Sequence, residues 1–591
     1  MYILGLSFFY HEAAAALIKD GELVAASAEE RFSRKKHDSS YPELAIKFCL
    51  EQAGISEKDL DYVVFYEKPF LKFERLFLTS LATYPDSYRL FRESMLSFLP
   101  EKLWVTSIIR DKLDINRGKI LTVPHHISHA ASSYYCSPFE EAAVLTLDGV
   151  GEWSCGSYGI GTLNKLRISK EIRFPHSIGL LYSAFTAFLG FEVNDGEYKV
   201  MGMAPYGTPK YADKVYQLMK VNSDGSIKLN MKYFRFHNSP DQNVTSNFTE
   251  LFGEPRDKDL HFFTPASGYP SYFGDKPSNY EEIAKLNQHY ADIAASLQLV
   301  TEEIILKMVD HVHTKTKQEN LVIAGGVGLN SVANGRVVRE SKFRHVYIQP
   351  AAGDDGAALG AALYVYHHIL GNKRKFVMTH AYYGKDFSEK EIKSFLDSKK
   401  IKYRFVEDKD KLASFVADAL SKKEVVGLYQ GRFEWGPRAL GNRSIIADPR
   451  SEEMKEIVNT KIKFREPYRP FAPAVLEEKA NEYFELKDAN SNYLAKFMLM
   501  VCPVKEDKKK LIPAVTHVDG SARLQTVDKD TNPLYRKIIE KFEEKTGVAV
   551  IMNTSFNLKG EPIVTTPENA YNTFMKSGLD YLVMERFVIS K

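Results

Sequence analysis

Cysteine is scarce in this sequence, and its spacing excludes several kinds of site. The 591 residues contain four cysteines, which are Cys49, Cys136, Cys155 and Cys502. No two of them form a CxxC pair, so we expect neither a zinc ribbon nor a dithiol redox centre. Isolated thiols of this kind are typical of buried positions in a protein from a reducing compartment.

A strong charge of either sign and long apolar runs are also lacking. The formal net charge is +3, which gives no general electrostatic reason to expect a nucleic acid or a membrane as partner. No stretch approaches the roughly 18 uncharged apolar residues that a membrane-spanning helix needs. The N-terminal apolar run has no preceding basic residues and is predicted to be a buried strand rather than a signal peptide. We therefore expect a folded cytoplasmic protein, in line with its 44% hydrophobic and 26% charged residues.

Two similar strand-and-hairpin patterns occur in the first third of the chain. Strands are predicted at residues 2–7, 13–18 and 22–26, with Asp20-Gly21 as the hairpin turn. A related apolar strand begins at Ala143 and is followed by a hairpin around Gly161. The repetition predicts a duplicated α/β architecture.

The rest of the chain is long enough for a second domain. Helices are predicted at 41–54 and 287–312 in the first domain, and strands at 424–429, 548–552 and 581–583 give the second domain a core of its own. The polar stretch 371–375 marks a boundary near residue 374, and a strand-rich region is expected from Phe376 onwards. The predicted domains are therefore 1–373 and 374–591.

Two histidines and two aspartates are candidate metal ligands. In PHHISHAASS, His125 and His129 are four residues apart, so on a helix that starts after Pro124 they project from one face. Asp148 follows the apolar strand AVLTL, and Asp354 lies in the turn sequence PAAGDDG. Two imidazoles and two carboxylates suit iron(II), manganese or zinc better than magnesium. An HxxxH pair also occurs without metal, and both aspartates could simply cap turns, so these alternatives stay open.

Glycine and small polar residues mark other candidate binding sites. Gly325 and Gly326 follow an apolar strand, where missing side chains let the backbone approach a nucleotide, and Asn330 opens the next helix. An ordinary strand-to-helix connection would use the same glycines. Asn553, Ser555 and Asn557 follow another apolar strand and offer hydrogen bonds to a carbamoyl amide or a phosphate, although a plain turn is the alternative.

Several cations of the C-terminal half lie in turn-rich segments that also contain glycine, proline and aromatic residues. They are Arg438, Arg443, Lys463, Arg465, Arg469 and Arg523. Guanidinium and ammonium groups gathered in this way bind phosphate. His11, just past the first strand, is a candidate base or hydrogen-bonding group, or else a structural histidine.

Ten segments, in order along nearly the whole chain, resemble the carbamoyltransferase family that modifies antibiotics and nodulation factors. They read ILGLSFFYHEAAAAL, AASAEERFSRKKHD, PHHISHAASS, LTLDGVGEW, GEYKVMGMAPYG, IAGGVGLN, PAAGDDGAALG, RFEWGPRALGNRSI, FREPYRPFAPAVL and MNTSFNLKGEPIV. The resemblance implies an α/β protein with a duplicated actin-like ATPase (ASKHA) N-terminal domain, similar to threonylcarbamoyl-adenosine synthase. It also implies a smaller α/β YrdC-like C-terminal domain.

The resemblance further implies a two-step reaction. Carbamoyl phosphate and ATP, with magnesium, would give carbamoyladenylate in the C-terminal domain, and the N-terminal domain would pass the carbamoyl group to a hydroxyl of a small molecule. Positions that match the carbamoyl phosphate site are Lys463, Arg469, Arg523 and Ser555. Positions that match the metal site, usually occupied by iron, are His125, His129, Asp148 and Asp354, with Asp355 as the alternative to Asp354. Nucleotide contacts are expected at Gly325, Gly326, Asn330, Arg438 and Asn553, and His11 matches a functional histidine beside the transfer site.

Other functions use similar modules. Modification of tRNA adenosine is disfavoured by the near-neutral charge and by the motifs GPRALGNRSI and EPYRPFAPAV, which resemble the small-molecule enzymes. The hydrogenase-maturation carbamoyltransferase carries cysteine-rich zinc modules, which the missing CxxC pairs exclude. A nucleotide sensor without transfer activity is a further alternative. The acceptor stays open, with the aromatic-rich segments 65–104 and 234–280 as candidate pocket walls, and so does the oligomeric state, for which a homodimer would be common.

Overall fold

A computed structural model describes residues 1–270, 273–466, 468–486 and 492–591. The chain forms two compact units. Unit 1 consists of Met1–Val24, Ser39–Pro42 and Cys49–Val377, and unit 2 consists of Ala25–Asp38, Glu43–Phe48 and Met378–Lys591. Two short N-terminal segments therefore belong to unit 2, which a single boundary near residue 374 does not describe. The division of function between 1–373 and 374–591 stays a prediction.

Both units combine strands and helices. The strands are β1 (Tyr2–Ser7), β2 (Ala14–Lys19), β3 (Glu22–Ala28), β4 (Tyr62–Phe65), β5 (Ile120–Thr122), β6 (Glu141–Leu147), β7 (Ser154–Thr162), β8 (Lys165–Arg173), β9 (Met219–Val221), β10 (Ile227–Leu229), β11 (Asn320–Ala324), β12 (His345–Tyr347), β13 (Arg404–Phe405), β14 (Val426–Tyr429), β15 (Arg443–Ala447), β16 (Ala472–Leu476), β17 (Val501–Pro503), β18 (Ser521–Arg523), β19 (Gln525–Val527), β20 (Val550–Ser555), β21 (Tyr581–Met584) and β22 (Phe587–Ser590). The α-helices are α1 (Glu30–Ser33), α2 (Glu43–Ala53), α3 (Pro69–Ala82), α4 (Tyr88–Phe98), α5 (Val105–Leu113), α6 (His125–Tyr134), α7 (Ile178–Phe188), α8 (Glu197–Met203), α9 (Ala212–Gln217), α10 (Ser246–Phe252), α11 (Tyr280–Thr316), α12 (Ser331–Glu340), α13 (Asp354–Tyr364), α14 (Glu389–Ser398), α15 (Lys409–Ser421), α16 (Glu453–Ile457), α17 (Ala480–Tyr483), α18 (Tyr493–Lys496), α19 (Glu506–Lys509), α20 (Pro533–Thr546) and α21 (Pro567–Lys576). Among the described residues, no helix has both the length and the apolar character needed to cross a membrane.

Two five-stranded sheets of the N-terminal part share one topology. Their strand orders are β3-β2-β1-β4-β5 and β8-β7-β6-β11-β12. In each sheet the first strand pairs antiparallel with the next strand along the chain. On its other side, two further strands extend the sheet in parallel. The predicted duplication is therefore confirmed, and this is the arrangement of the actin-like ATPase (ASKHA) fold.

Helix α13 packs closely against β1 and α6, and glycines make this approach possible. A Cβ atom added at Gly5 would lie 1.9 Å from the carbonyl oxygen of Ala358 in α13. A Cβ atom added at Gly360 would lie 1.9 Å from the carbonyl oxygen of Ser128 in α6. Since protein interiors have no spare volume for such atoms, side chains at these positions would push α13 away. The close packing therefore determines where the first residue of α13 lies relative to α6.

An eight-stranded mixed sheet forms the centre of unit 2. Its strand order is β13-β22-β21-β14-β15-β20-β16-β19. Strands β14 and β21 pair in parallel, as do β16 and β19. Helix α20 packs on β16 and β20, and α21 packs on β14 and β21. An α/β core in the C-terminal half is thus confirmed, whereas its YrdC-like relationship stays a prediction.

Arginines tie the longer N-terminal segment of unit 2 to the C-terminal residues of that unit. Arg31 Nη2 donates to the carbonyl oxygen of Gly436 at 2.8 Å. Arg34 donates to the carbonyl oxygens of Ile563 and Pro562, both at 2.7 Å. Each guanidinium satisfies backbone acceptors that the sheet does not use, which explains why this segment packs with residues distant in sequence.

Most predicted elements form, with shifted ends. Strand β1 has the predicted bounds, and the helix predicted at 287–312 is part of the longer α11. The hairpin turn has φ angles of 52° at Asp20 and 86° at Gly21, as such turns require. The strand-rich region expected from Phe376 onwards is confirmed by the sheet of unit 2, but its first strand among the described residues, β13, begins only at Arg404. The backbone directly after Phe376 bonds to a loop, as in the donation from Gly384 N to the oxygen of Phe433 at 2.9 Å, and to β3, where Ala26 N donates to the oxygen of Tyr383 at 3.2 Å.

Candidate functional site

The four predicted metal ligands lie together in unit 1. Helix α6 begins at His125 and carries both histidines, Asp148 follows β6, and Asp354 is the first residue of α13. One ligand atom from each residue lies within 4.8 Å of the others. His125, His129 and Asp354 are buried and Asp148 is half-buried, so the cluster is shielded from most of the solvent.

The spacing of the ligand atoms suits a metal ion. His125 Nε2 lies 3.1 Å from Asp148 Oδ2 and 3.0 Å from His129 Nε2. Asp354 Oδ1 lies 3.4 Å from His129 Nε2 and 3.7 Å from His125 Nε2. Metal–ligand bonds of about 2.0–2.2 Å place the ligands of a tetrahedral site about 3.4 Å apart. The residues present therefore fit a divalent first-row metal ion.

The charges of the cluster are strongly coupled. Burial alone would lower the pKa of His125, but its hydrogen bond to Asp148 and the charge of Asp354 raise it well above the ordinary value. Burial alone would raise the pKa of each aspartate, but the neighbouring histidines hold the pKa of Asp148 and of Asp354 well below the ordinary value. Both carboxylates are thus ionised at neutral pH, and a protonated His125 stands in the place of a cation.

The glycines and the asparagine predicted to bind nucleotide have contacts within the protein. Gly326 N donates to Asp148 Oδ1 at 2.9 Å and orients that carboxylate. Gly325 has a φ angle of 95°, and an added Cβ atom would lie 2.2 Å from a carbonyl oxygen of β6, so this position requires glycine. Asn330 caps α12 by accepting a backbone N–H at 3.1 Å. Nucleotide binding by these residues stays a prediction.

Three charged residues beside His125 were not foreseen from the sequence. Glu152 accepts the backbone N–H of His125 at 3.0 Å. Because Pro124 has no capping side chain, this bond satisfies a donor at the start of α6. Glu67 Oε2 lies 3.7 Å from His125 Nδ1 and 2.8 Å from Lys72 Nζ. The available signal for Glu67 was the sequence YEKP, in which this glutamate follows the apolar strand β4 almost directly.

The remaining candidates of unit 1 lie in different surroundings. Asp355 Oδ1 accepts the N–H of Gly356 at 2.9 Å, so the geometry favours Asp354 as the metal ligand. His11 is exposed and is not part of the four-residue cluster. Its Nδ1 atom lies 3.1 Å from Asn194 Nδ2. A role of His11 in transfer stays a prediction.

The first candidate acceptor wall, the segment 65–104, contains both exposed and buried aromatic residues. Phe70, Tyr84 and Trp104 are exposed there, whereas Tyr66 is buried. In the segment 234–280, positions 271 and 272 lie outside the described residues. Pro467 of the EPYRP motif, which belongs to a different segment, also lies outside them. Acceptor binding by these segments stays a prediction.

Lys463 and Ser555 are neighbours in unit 2, as expected for residues of one site. Lys463 Nζ donates to the carbonyl oxygen of Ser555 at 2.7 Å and lies 3.2 Å from its Oγ. Asn557 Oδ1 accepts a further hydrogen bond from Lys463 at 2.6 Å. Burial and the charges of Arg465 and Arg469 lower the pKa of Lys463 well below its ordinary value. Positive charges are thus held close together here, and a bound phosphate would relieve their repulsion.

Asn553, Arg523 and Arg469 were also predicted to bind nucleotide or phosphate, and they lie in different parts of unit 2. Asn553 on β20 is buried and donates to the carbonyl oxygen of Ala439 at 3.0 Å and to Gln525 Oε1 at 2.7 Å. Arg523 lies on β18, in a two-stranded sheet with β17. Arg469 Nη1 lies 3.5 Å from Glu466 Oε2. The structure therefore gives Asn553 a clear packing role, while substrate contacts by these residues stay a prediction.

A buried glutamate shapes the loop that carries Arg438. Glu434 Oε1 accepts three N–H groups of that loop at 2.8, 2.9 and 3.2 Å. Arg443, which the sequence placed among the phosphate-binding cations, is instead buried with its guanidinium 3.7 Å from the ring centroid of Tyr429. The loop conformation is therefore fixed from inside, before any ligand binds.

Comparisons with known proteins identify the family. The family model "Carbamoyltransferase N-terminus" matches residues 2–363, and "Carbamoyltransferase C-terminus" matches residues 417–591. The chain is 46% identical to the uncharacterized protein sll1178 of Synechocystis sp., over 100% of this chain and 97% of that protein. It is 36% identical to nodulation protein NolNO of Sinorhizobium fredii, over 99% of this chain and 79% of that protein.

Two solved structures are similar to this chain at a low level. Component A of (R)-2-hydroxyglutaryl-CoA dehydratase from Acidaminococcus fermentans has a TM-score of 0.31 and 15% identity, covering 63% of this chain and 99% of that chain. HypF of T. kodakarensis has a TM-score of 0.30 and 16% identity, covering 63% of this chain and 48% of that chain. Similarity of this degree says nothing about the reaction. The two family models, which together match most of the sequence, show that the chain belongs to the carbamoyltransferase family and is a transferase.

Proposed function

We propose that the protein is an ATP-dependent O-carbamoyltransferase. It would convert carbamoyl phosphate and ATP to carbamoyladenylate and transfer the carbamoyl group to a hydroxyl of a small-molecule acceptor. The observation that carries the proposal is the pairing of two chemically different clusters in one carbamoyltransferase chain. Unit 1 gathers nitrogen and oxygen ligands for a metal, and unit 2 places Lys463 beside the Ser555 hydroxyl, with the charges of Arg465 and Arg469 acting on that lysine.

The cation cluster suits the activation step. Carbamoyl phosphate, ATP and water would give carbamoyladenylate, pyrophosphate and phosphate. Water would cleave the bond between the carbamate oxygen and the phosphorus of carbamoyl phosphate and release phosphate. The freed carbamate oxygen would then form a bond to the α-phosphorus of ATP, and the bond from that phosphorus to pyrophosphate would break. Lys463, Arg469 and Arg523 would neutralise the phosphate charges, and Ser555 Oγ would donate to a phosphate oxygen. Magnesium would accompany ATP, with Arg438 and Asn553 as candidate nucleotide contacts.

The metal cluster suits the transfer step. His125, His129, Asp148 and Asp354 would hold a divalent first-row ion, for which iron(II) is our first expectation, and such an ion supplies Lewis acidity toward phosphate and carbonyl oxygens. The acceptor oxygen would bond to the carbamoyl carbon while the bond from that carbon to the AMP oxygen breaks. The hydroxyl proton would pass to a base, for which His11 is the candidate.

Variants at the two clusters test this division of labour. Lys463→Ala should abolish carbamoyladenylate formation, since the phosphate site loses a buried cation, while the exposed neighbour Lys461→Ala serves as the control. His129→Ala should leave adenylate formation intact and block transfer, while His126→Asn, on the same helix but outside the cluster, should retain both steps. Equal loss of both steps in Lys463→Ala and His129→Ala would contradict the proposal.

The same assays separate the alternatives. A nucleotide sensor would form no carbamoyladenylate, even as folded, metal-loaded protein. A tRNA-modifying enzyme would form an adenylate but would require tRNA, and not a hydroxylated small molecule, to consume it. Carbamoyladenylate that is consumed on addition of small hydroxylated compounds would support the proposed reaction.

A further inference from the structure

A buried ion pair lies directly behind the metal cluster. Glu67 and Lys72 are 2.8 Å apart, and their side chains are 0% and 8% exposed. Lys72 Nζ also lies 3.0 Å from the ring centroid of Tyr10, so the ammonium is held by a carboxylate and an aromatic face. Burying two charges is unfavourable unless their positions are well fixed. Glu67 is therefore held in a defined place, next to α6.

The position of Glu67 matches a need of His125. His125 directs Nε2 toward the other ligand atoms, so a metal bound there requires the neutral ring to carry its proton on Nδ1. That Nδ1 atom is buried and has no hydrogen-bond partner among the described residues. Glu67 Oε2 lies 3.7 Å away, and Glu67 Oε1 also has no hydrogen-bond partner in the described part of the chain.

We propose that Glu67 is a positioning residue that accepts the Nδ1 proton of His125 and thereby fixes the tautomer and orientation that metal binding requires. The inference rests on the proposed metal site. Ligating histidines commonly donate their second ring N–H to a carboxylate, which raises their basicity and fixes the ring. Lys72 and Tyr10 hold the carboxylate in position from the other side. Glu152 has a different task, since it contacts the backbone of His125 and not the ring.

Metal affinity of Glu67 variants tests the inference. The full-length protein would be stripped with a chelator and titrated with cobalt(II), with its visible absorption recorded and its unfolding temperature measured in parallel. Glu67→Gln should weaken cobalt(II) binding about 10- to 100-fold and change the cobalt(II) absorption bands. Glu141→Gln, an exposed substitution on β6, should change neither property.

A second variant separates positioning from folding. Glu67→Gln leaves a buried lysine unpaired and could reduce stability, so Glu67→Gln combined with Lys72→Met removes both charges. The double variant should regain the unfolding temperature of the wild type while cobalt(II) binding stays weak. Wild-type affinity and wild-type spectra in either folded variant would overturn the inference and leave the metal site intact. A wild-type protein that binds no cobalt(II) would overturn the metal site together with the inference.

Discussion

Metal binding at the His125 cluster should release a proton. Because Asp148 and Asp354 raise the pKa of His125 well above its ordinary value, this ring carries a proton at neutral pH in the metal-free protein. The two aspartates, whose pKa values are lowered, have none to release. Binding at Nε2 must therefore displace about one proton per metal ion.

The sign and size of the pH dependence follow from this count. Below the folded-state pKa of His125, each pH unit should raise metal affinity about tenfold, since one proton competes with the ion. The metal-free protein should show the opposite trend. A raised pKa contributes stability that is fully present below the unfolded value of about 6.5 and is lost as the pH rises through the folded value.

Isothermal titration calorimetry with cobalt(II) in two buffers of different ionisation enthalpy counts the released protons. His126, whose pKa burial lowers to about 3, is already neutral, so His126→Asn should release the same number as the wild type. Binding that releases no proton between pH 6 and 7 would refute the assigned charge state of the cluster.

Three other outcomes are expected. Gly360→Ala places a Cβ atom 1.9 Å from the oxygen of Ser128, so it should weaken metal binding and lower the free energy of unfolding, measured by urea denaturation, by about 1–3 kcal/mol or more. Gly118→Ala, where the added Cβ atom has no neighbour nearer than 3.4 Å, is the control. Glu434→Ala removes the acceptor of three buried N–H groups and should lower the free energy of unfolding by at least about 3 kcal/mol. The control Glu407→Ala, at an exposed position, should leave the free energy of unfolding unchanged. Metal at about 100 times its dissociation constant should stabilise the protein by about 2.7 kcal/mol, and a chelator should reverse the gain in thermal denaturation.

The sequence was sufficient for features that depend on local spacing. The helical positions of His125 and His129 follow from a four-residue interval, and β1 from a short apolar run. The duplicated topology could be predicted because the hairpin pattern recurs along the chain. The choice of Asp354 over Asp355 could not, since both begin α13 and only the packing of that helix decides which carboxylate faces the histidines.

Features that depend on distant packing escaped the sequence. Glu67 meets His125 only because the residues that follow β4 contact α6, as in the donation from Ser128 Oγ to the oxygen of Tyr66 at 2.8 Å, and no spacing rule links the two residues. Arg443 looked like a phosphate-binding cation because of its glycine-rich surroundings, but its guanidinium is stacked on a buried tyrosine. The stretch directly after Phe376 forms no strand of the unit 2 sheet, and its backbone bonds to a loop and to β3 instead.

The central claim is carbamoyl-phosphate-dependent activation of ATP. It is tested most directly by measuring pyrophosphate release from ATP with and without carbamoyl phosphate, with mass spectrometry for carbamoyladenylate in the same reaction. We expect release only when carbamoyl phosphate is present, together with a carbamoyladenylate signal. Folded, metal-loaded protein that releases no pyrophosphate under either condition, with or without added hydroxylated compounds, would contradict the account.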